Sequence, residues 1–115
     1  ATALAGFQDV FFAYDSFSLS ETAQQALVHD AVWMAANPGR RIRIEGQCDE
    51  RGTQAYNHVL GEKRAKAVQR YLKDLGVSND VTIVSLGKDR PWCEEHSEAC
   101  YAQNRRGHVV VKTGK

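Results

Sequence analysis

The sequence predicts an α/β fold of the α+β sandwich type, in which a mixed four-stranded sheet carries helices on one face. Short segments rich in β-favouring residues alternate with segments of helical periodicity, in the order β-α-β-α-β-β. The second and third predicted strands are joined by a helix long enough for a crossover between parallel strands. The chain has 115 residues, 43% of them hydrophobic, so we expect one domain over 1–115 with a loose N-terminal segment at 1–6.

The first third of the chain predicts one strand and one helix. Residues 10–14 are aromatic and β-favouring, and residues 15–18 have the composition of a turn. Ser18 and Glu21 resemble a capping box. We therefore expect a helix to begin there and to end at the stop signal of residues 37–39.

The rest of the chain predicts the crossover and a final strand. Residues 41–45 alternate strictly between polar and apolar, which is typical of a strand with one buried face. Residues 56–75 form the longest helical pattern, with Gly76 as its C-cap. The remaining predicted segments are a strand at 81–85, a loop with at most one turn of helix at 87–98, and a last strand at 109–111.

One basic residue lies on the wrong face of the long helix. At about 100° per residue, Arg64 falls in the middle of the face formed by Leu60, Val68 and Leu72. Burying a guanidinium without an anion costs several kcal/mol, so the fold must supply a carboxylate or leave an opening for an anionic ligand. Asp49 follows the second strand, at the edge where open α/β sheets bind ligands. An internal Asp49–Arg64 salt bridge and a ligand site are both open interpretations.

Two polar residues add to the same region. Thr53 and Asn57 place further hydrogen-bond donors and acceptors beside Asp49 and Arg64. Either residue could instead cap the following helix. Spacing alone does not separate these two roles.

Charge and hydropathy exclude several classes of partner. Fifteen basic and fourteen acidic residues give a net charge of +1, so no long-range field favours nucleic acid or an anionic membrane. No apolar run approaches the roughly 18 residues that a membrane helix needs, and no charged-then-apolar leader opens the chain. We therefore expect any binding to depend on the side chains of a local site and not on the overall charge of the protein.

An ordered set of motifs resembles the OmpA-like peptidoglycan-binding domain. The resemblance covers nearly the whole chain, and the run from Asp49 to Thr53 is similar to the lipoprotein branch of that superfamily. Its motifs are residues 46–53, Tyr56-Asn57, residues 60–62, Arg64-Ala65, residues 12–15, residues 84–88 and residues 104–106.

The resemblance implies a binding domain that is not an enzyme and needs no cofactor or metal. Such domains bind diaminopimelate of peptidoglycan stem peptides, whose free end carries an ammonium and a carboxylate on one carbon. By this resemblance Asp49 accepts from the ammonium, and the planar fork of Arg64 binds the carboxylate. Asn57 and Leu60 match positions lining the same pocket. The weaker matches are Thr53, Asp15, Asn104 and Arg105.

The resemblance also implies a cellular setting. It predicts the periplasmic side of the Gram-negative outer membrane, with a lipid anchor upstream of this chain and TolB of the Tol system as a partner. The alternative is an OmpA-like domain of a porin or a flagellar stator, which binds the same ligand from another anchor. A lipid-modified cysteine upstream in the full-length sequence would distinguish the first from the second.

Two cysteines enclose a short loop near the C-terminus. Because the implied compartment is the oxidising periplasm, we expect Cys93 and Cys100 to form a disulfide. The alternative is a metal site built from Cys93, His96 and Cys100, with His108 as a fourth ligand, although the spacing matches no strong zinc pattern.

The third cysteine, Cys48, lies beside Asp49. With His58 as base it would suit a cysteine hydrolase, but the sequence offers no orienting third residue and no evident oxyanion site. A small buried thiol is the simpler interpretation.

Overall fold

A four-stranded mixed sheet and three helices form the part of the chain that the computed structural model describes, residues 7–112. The strand order is β1-β4-β2-β3, with β2 parallel to β3 and the other pairs antiparallel. This confirms the predicted fold class; the segment 1–6 lies outside the described residues. The elements are β1 (Val10–Phe11), α1 (Glu21–Ala36), β2 (Ile42–Gln47), α2 (Gln54–Asp74), β3 (Val81–Gly87), α3 (Glu98–Asn104) and β4 (Arg106–Val111).

The core lies between one face of the sheet and the two long helices. Ile42 and Ile44 alternate with polar residues along β2, so both point to the same side. Side chains from both α1 and α2 join them in a single buried cluster, which places the two helices on that face. Other members of the cluster include Leu27, Met34, Val68, Leu72, Val109 and Val111.

Both long helices begin at residues that differ from the prediction. Helix α1 is capped by Ser20, whose Oγ accepts from the Ala23 N–H at 3.1 Å, so the predicted cap at Ser18 is wrong. The Ser18 N–H bonds to the Ser16 Oγ within the preceding turn. Helix α2 begins two residues earlier than predicted because Thr53 caps it.

Strand β1 is shorter than the predicted strand at 10–14. After Phe11, the carbonyls of Phe12 and Ala13 accept hydrogen bonds from Arg105 and Arg64. Those carbonyls are therefore used by arginine side chains rather than by a neighbouring strand, and the chain leaves the sheet.

Helix α3 was not predicted. The sequence indicated a loop up to residue 98 and a last strand at 109–111, whereas β4 begins at Arg106 directly after the helix. Seven residues are too few for helical periodicity to stand out. Ser97 caps the helix through a bond from the Cys100 N–H.

Two glycines bring α2 against β2. A Cβ at Gly46 would overlap the backbone of Gly61, and a Cβ at Gly61 would overlap the Gly46 carbonyl and the Ser85 Oγ. Helix and strand therefore approach more closely than side chains would allow. This contact lies where β2 ends, so it places the first half of α2 beside Cys48 and Asp49.

Candidate functional site

A narrow cleft of about 40 Å³ lies beyond the carboxyl end of β2. Its walls come from the segment after β1, the loop after β2 and the first half of α2. The lining residues are Tyr14, Asp15, Cys48, Asp49, Arg51, Gly52, Tyr56, Asn57, Leu60 and Arg64.

Arg64 is buried at the base of this cleft, with 1% of its surface exposed. Its Nε, Nη1 and Nη2 donate to the carbonyls of Ser16, Gln47 and Ala13, at 2.8, 3.0 and 3.1 Å. Burial lowers the pKa of Arg64, although an arginine remains charged in a folded protein. The side chain is thus stabilised by backbone oxygens.

The Asp49–Arg64 salt bridge is not formed. Within residues 7–112, no carboxylate lies within ion-pair distance of the Arg64 guanidinium. Asp49 instead pairs with Arg51, at 2.7 Å, and with Arg105, at 3.2 Å. Arg64 therefore obtains no carboxylate from the side chains of this part of the fold.

Asp49 accepts four hydrogen bonds. Oδ1 accepts from the backbone N–H and the Nε of Arg51, and Oδ2 accepts from the Nη2 of Arg51 and the Nη1 of Arg105. Burial by itself raises the pKa of this carboxyl, but these hydrogen bonds outweigh it and hold the pKa of Asp49 below its ordinary value. The carboxylate is therefore charged at neutral pH.

Arg51 forms one wall of the cleft and was not among the predicted site residues. Its guanidinium lies 4.1 Å from the ring centre of Tyr14 and 4.6 Å from that of Tyr101. Two aromatic rings and a carboxylate therefore hold it. The sequence signal that could have identified Arg51 is its place in a loop, two residues after Asp49 and directly before a glycine. That glycine, Gly52, has a φ of 95°.

Four other residues complete the cleft. The amide of Asn57 donates to the carbonyls of Arg51 and Thr53, so Asn57 holds the loop and does not cap the helix. Leu60 is a buried apolar contact. The Tyr56 hydroxyl bonds to the Asp15 carboxylate across the cleft, a pairing that sequence reasoning missed.

Five of the eight predicted residues meet in this cleft, namely Asp15, Asp49, Asn57, Leu60 and Arg64. The other three do not line it. Thr53 caps α2 through the Tyr56 N–H. Asn104 accepts from the backbone N–H groups of Trp92 and Cys93 and holds that loop. Arg105 lies behind Asp49 and contacts it from outside the cleft.

Cys48 is a neutral thiol. Burial raises its pKa to about 11, and its Sγ donates to the Asn57 carbonyl at 3.3 Å. A cysteine nucleophile needs the thiolate, which this environment disfavours. The geometry therefore agrees with a buried thiol and gives no support to a hydrolase.

The predicted disulfide between Cys93 and Cys100 is confirmed, with their Cα atoms 5.4 Å apart. The alternative metal site is wrong because both of its thiols are in this bond.

No helix within residues 7–112 is long and apolar enough to cross a membrane.

Comparisons with known proteins identify the family of the chain. The model of the OmpA family matches residues 11–105. Peptidoglycan-associated lipoproteins of Pseudomonas aeruginosa and Pseudomonas putida are each 48% identical over 105 residues, which is 90% of this chain. The chain spans 62% and 63% of the length of these two relatives.

Among solved structures, a peptidoglycan-associated lipoprotein is again similar to this chain. The crystal structure of the peptidoglycan-associated lipoprotein from Burkholderia pseudomallei has a TM-score of 0.86 at 45% identity, over 90% of this chain and 89% of that one. The C-terminal domain of Helicobacter pylori MotB has a TM-score of 0.86 at 20% identity, over 95% of this chain and 87% of that one, which shows likeness of fold alone. The chain therefore belongs to the OmpA family, and its sequence is similar to the peptidoglycan-associated lipoproteins.

Proposed function

We propose that the cleft binds peptidoglycan without covalent chemistry, through the diaminopimelate of stem peptides. The observation that carries the proposal is Arg64, a buried guanidinium that donates to three backbone carbonyl oxygens and has no carboxylate partner within the described residues. Three of its five N–H groups are used, which leaves one on each terminal nitrogen. Bidentate binding of a carboxylate uses one N–H from each of two guanidinium nitrogens.

The charges of the cleft suit a zwitterion. Its lining contains two carboxylates, Asp15 and Asp49, and two guanidinium groups, Arg51 and Arg64. The free end of diaminopimelate carries one charge of each sign on a single carbon. Arg64 would bind its carboxylate, while Asp49, held in place by Arg51 and Arg105, would interact with its ammonium. Asp15 is exposed beside Tyr56 and is a second acceptor for the ammonium.

The proposed role is recognition and not catalysis. The thiol in the cleft, Cys48, is neutral at physiological pH. The carboxylates are already engaged in hydrogen bonds to arginine or tyrosine, which suits a fixed electrostatic surface. The domain would therefore hold its ligand unchanged.

The relatives support a proposal for the cellular role. The 48% identity to a peptidoglycan-associated lipoprotein supports a lipid-anchored protein rather than the alternative of a porin or a flagellar stator. We infer that the full-length protein tethers the outer membrane to the cell wall from its periplasmic side, as part of the Tol-Pal system with TolB as partner. The Cys93–Cys100 disulfide suits that oxidising compartment.

Calorimetric titration with two stem peptides tests the proposal. A diaminopimelate tripeptide should bind, and a lysine tripeptide, which lacks the distal carboxylate, should bind at least about tenfold more weakly because Arg64 is left unpaired. Arg64→Ala should abolish the difference. Lys66→Ala removes an exposed cation from the same helix and should keep it. Equal binding of the two peptides to the unaltered protein would refute the proposal.

A further inference from the structure

Helix α3 and the loop before it contact the Asp49 loop from outside the cleft. The Tyr101 hydroxyl donates to the Glu50 carboxylate at 2.7 Å, and the His96 Nδ1 lies 2.6 Å from the same oxygen. The Tyr101 ring lies under the guanidinium of Arg51. Glu98, at the first turn of the helix, lies 3.6 Å from Arg51. One short helix thus supports the wall that Arg51 forms.

Helix α3 is itself held at both ends. The Cys93–Cys100 disulfide ties its first half to the preceding loop. Asn104, its last residue, accepts from the backbone N–H groups of Trp92 and Cys93 and donates to the Cys93 carbonyl. A helix of seven residues is unstable alone in water, so these ties keep it folded.

The position of Tyr101 depends on these ties. Tyr101 directly follows the disulfide-bonded Cys100, which is 2% exposed. The hydrogen bonds of Tyr101 and His96 to Glu50 lie on exposed groups and are weak restraints by themselves. The covalent bond at Cys100 is therefore the firmest restraint on the ring beneath Arg51.

We propose that the disulfide-closed helix α3 is a positioning element for the cleft, in which the Cys93–Cys100 bond fixes Tyr101 and Tyr101 fixes Arg51 against Asp49. Tyr101, Cys93 and Cys100 do not line the cleft and act through Arg51. This rests on the proposed function, since the cleft is taken to bind peptidoglycan. Affinity for a stem peptide should then depend on the redox state of the two cysteines.

Reduction of the disulfide tests whether the affinity for a stem peptide depends on the redox state of Cys93 and Cys100. Dithiothreitol breaks the S–S bond and is oxidised to its cyclic disulfide, while Cys93 and Cys100 each gain one electron and one proton as thiols. We expect the reduced protein to bind the diaminopimelate tripeptide about tenfold more weakly in calorimetric titration. The Cys93→Ser/Cys100→Ser variant should match the reduced protein and should not respond to dithiothreitol.

Two substitutions of Tyr101 separate positioning from general stability. Tyr101→Phe keeps the ring beneath Arg51, so it should bind within about threefold of the unaltered protein. Tyr101→Leu removes the ring and should weaken binding about fivefold. The NMR signal of the Arg51 Nε–H should stay sharp in Tyr101→Phe and broaden in Tyr101→Leu and in the reduced protein.

The outcomes distinguish the two proposals. If reduced protein binds the tripeptide as tightly as oxidised protein, the positioning role is wrong and the proposed function stands. If the oxidised protein does not bind the tripeptide, the proposed function fails, and the Arg51 signal still decides whether α3 positions that side chain. An Arg51 signal unchanged by Tyr101→Leu and by reduction would overturn the inference even if a serine variant failed to fold.

Discussion

Arg64 is stabilised in the interior by the dipoles of three carbonyl groups and by the Phe12 ring, 5.2 Å from its guanidinium. These acceptors come from the segment after β1 and from the end of β2, so one side chain connects three parts of the chain. Carbonyl oxygens satisfy donors without neutralising the charge. Removing the side chain would leave three carbonyls without this donor, so Arg64→Ala should also destabilise the fold.

Asp30 is a buried carboxyl on α1 whose pKa departs in the opposite direction from that of Asp49. Its Oδ1 accepts from the Gln8 N–H at 2.8 Å, and its Oδ2 has no hydrogen-bond partner within residues 7–112. Burial raises the pKa of Asp30 to about 6, above the roughly 3.9 of an unfolded aspartate. Folding therefore favours the protonated carboxyl. The stabilisation from protonation is complete below about pH 4 and is lost as the pH rises through about 6.

Asp30→Asn should remove this pH dependence. The amide oxygen can still accept from the Gln8 N–H, and no buried charge forms on raising the pH. We expect the free energy of unfolding at pH 8 to rise by about 1 to 3 kcal/mol, with little change at pH 4. Urea unfolding at the two pH values measures the difference. Asp80→Asn, at an exposed carboxyl, is the control, and an equal gain at pH 4 and pH 8 would contradict the assignment.

The close contact between Gly46 and Gly61 joins strand β2 to helix α2. It sets the distance between β2 and α2, and α2 carries Asn57, Leu60 and Arg64 into the cleft. The backbone on both sides is regular structure with little room to move. A side chain at Gly46 would therefore displace the helix.

Gly46→Ala should lower the free energy of unfolding by about 2 to 4 kcal/mol, because its Cβ overlaps the Gly61 backbone. Denaturant unfolding measures the loss. Gly39→Ala is a matched control, since a Cβ there meets no atom within 4 Å and should change stability by less than about 1 kcal/mol. If the two variants were equally stable, the close approach would not determine the packing of α2.

Elements with long periodic patterns could be predicted from the sequence, whereas the short helix α3 could not. Helix α2 and strand β3 were recognised because their apolar residues repeat over several turns or pleats. Helix α3 was not predicted because a disulfide and the hydrogen bonds of Asn104 stabilise it. Neither of these produces a periodic pattern of apolar residues. For the site, the helical wheel identified Arg64 as buried but not its backbone partners, because any residue can supply a carbonyl.

The charges of the molecule favour binding through local contacts in the cleft over attraction by the overall charge of the protein. The chain has a net charge of only +1, while the cleft lining contains two carboxylates and two guanidinium groups, with Asp49 and Arg64 at 4% and 1% exposure. Salt screens exposed charges strongly and buried ones weakly. The proposed binding to diaminopimelate should therefore depend little on ionic strength.

Calorimetric titration of the diaminopimelate tripeptide at about 0.05 and 0.5 M NaCl measures this dependence. We expect the dissociation constant to change by less than about fivefold, because the buried Arg64 and Asp49 would make the main contacts with the ligand. Lys66→Ala, which removes an exposed charge outside the cleft, should show the same small dependence. A loss of affinity of a hundredfold or more on adding salt, reduced by Lys66→Ala, would mean that the tripeptide binds to the exposed basic surface of α2 instead of to the cleft.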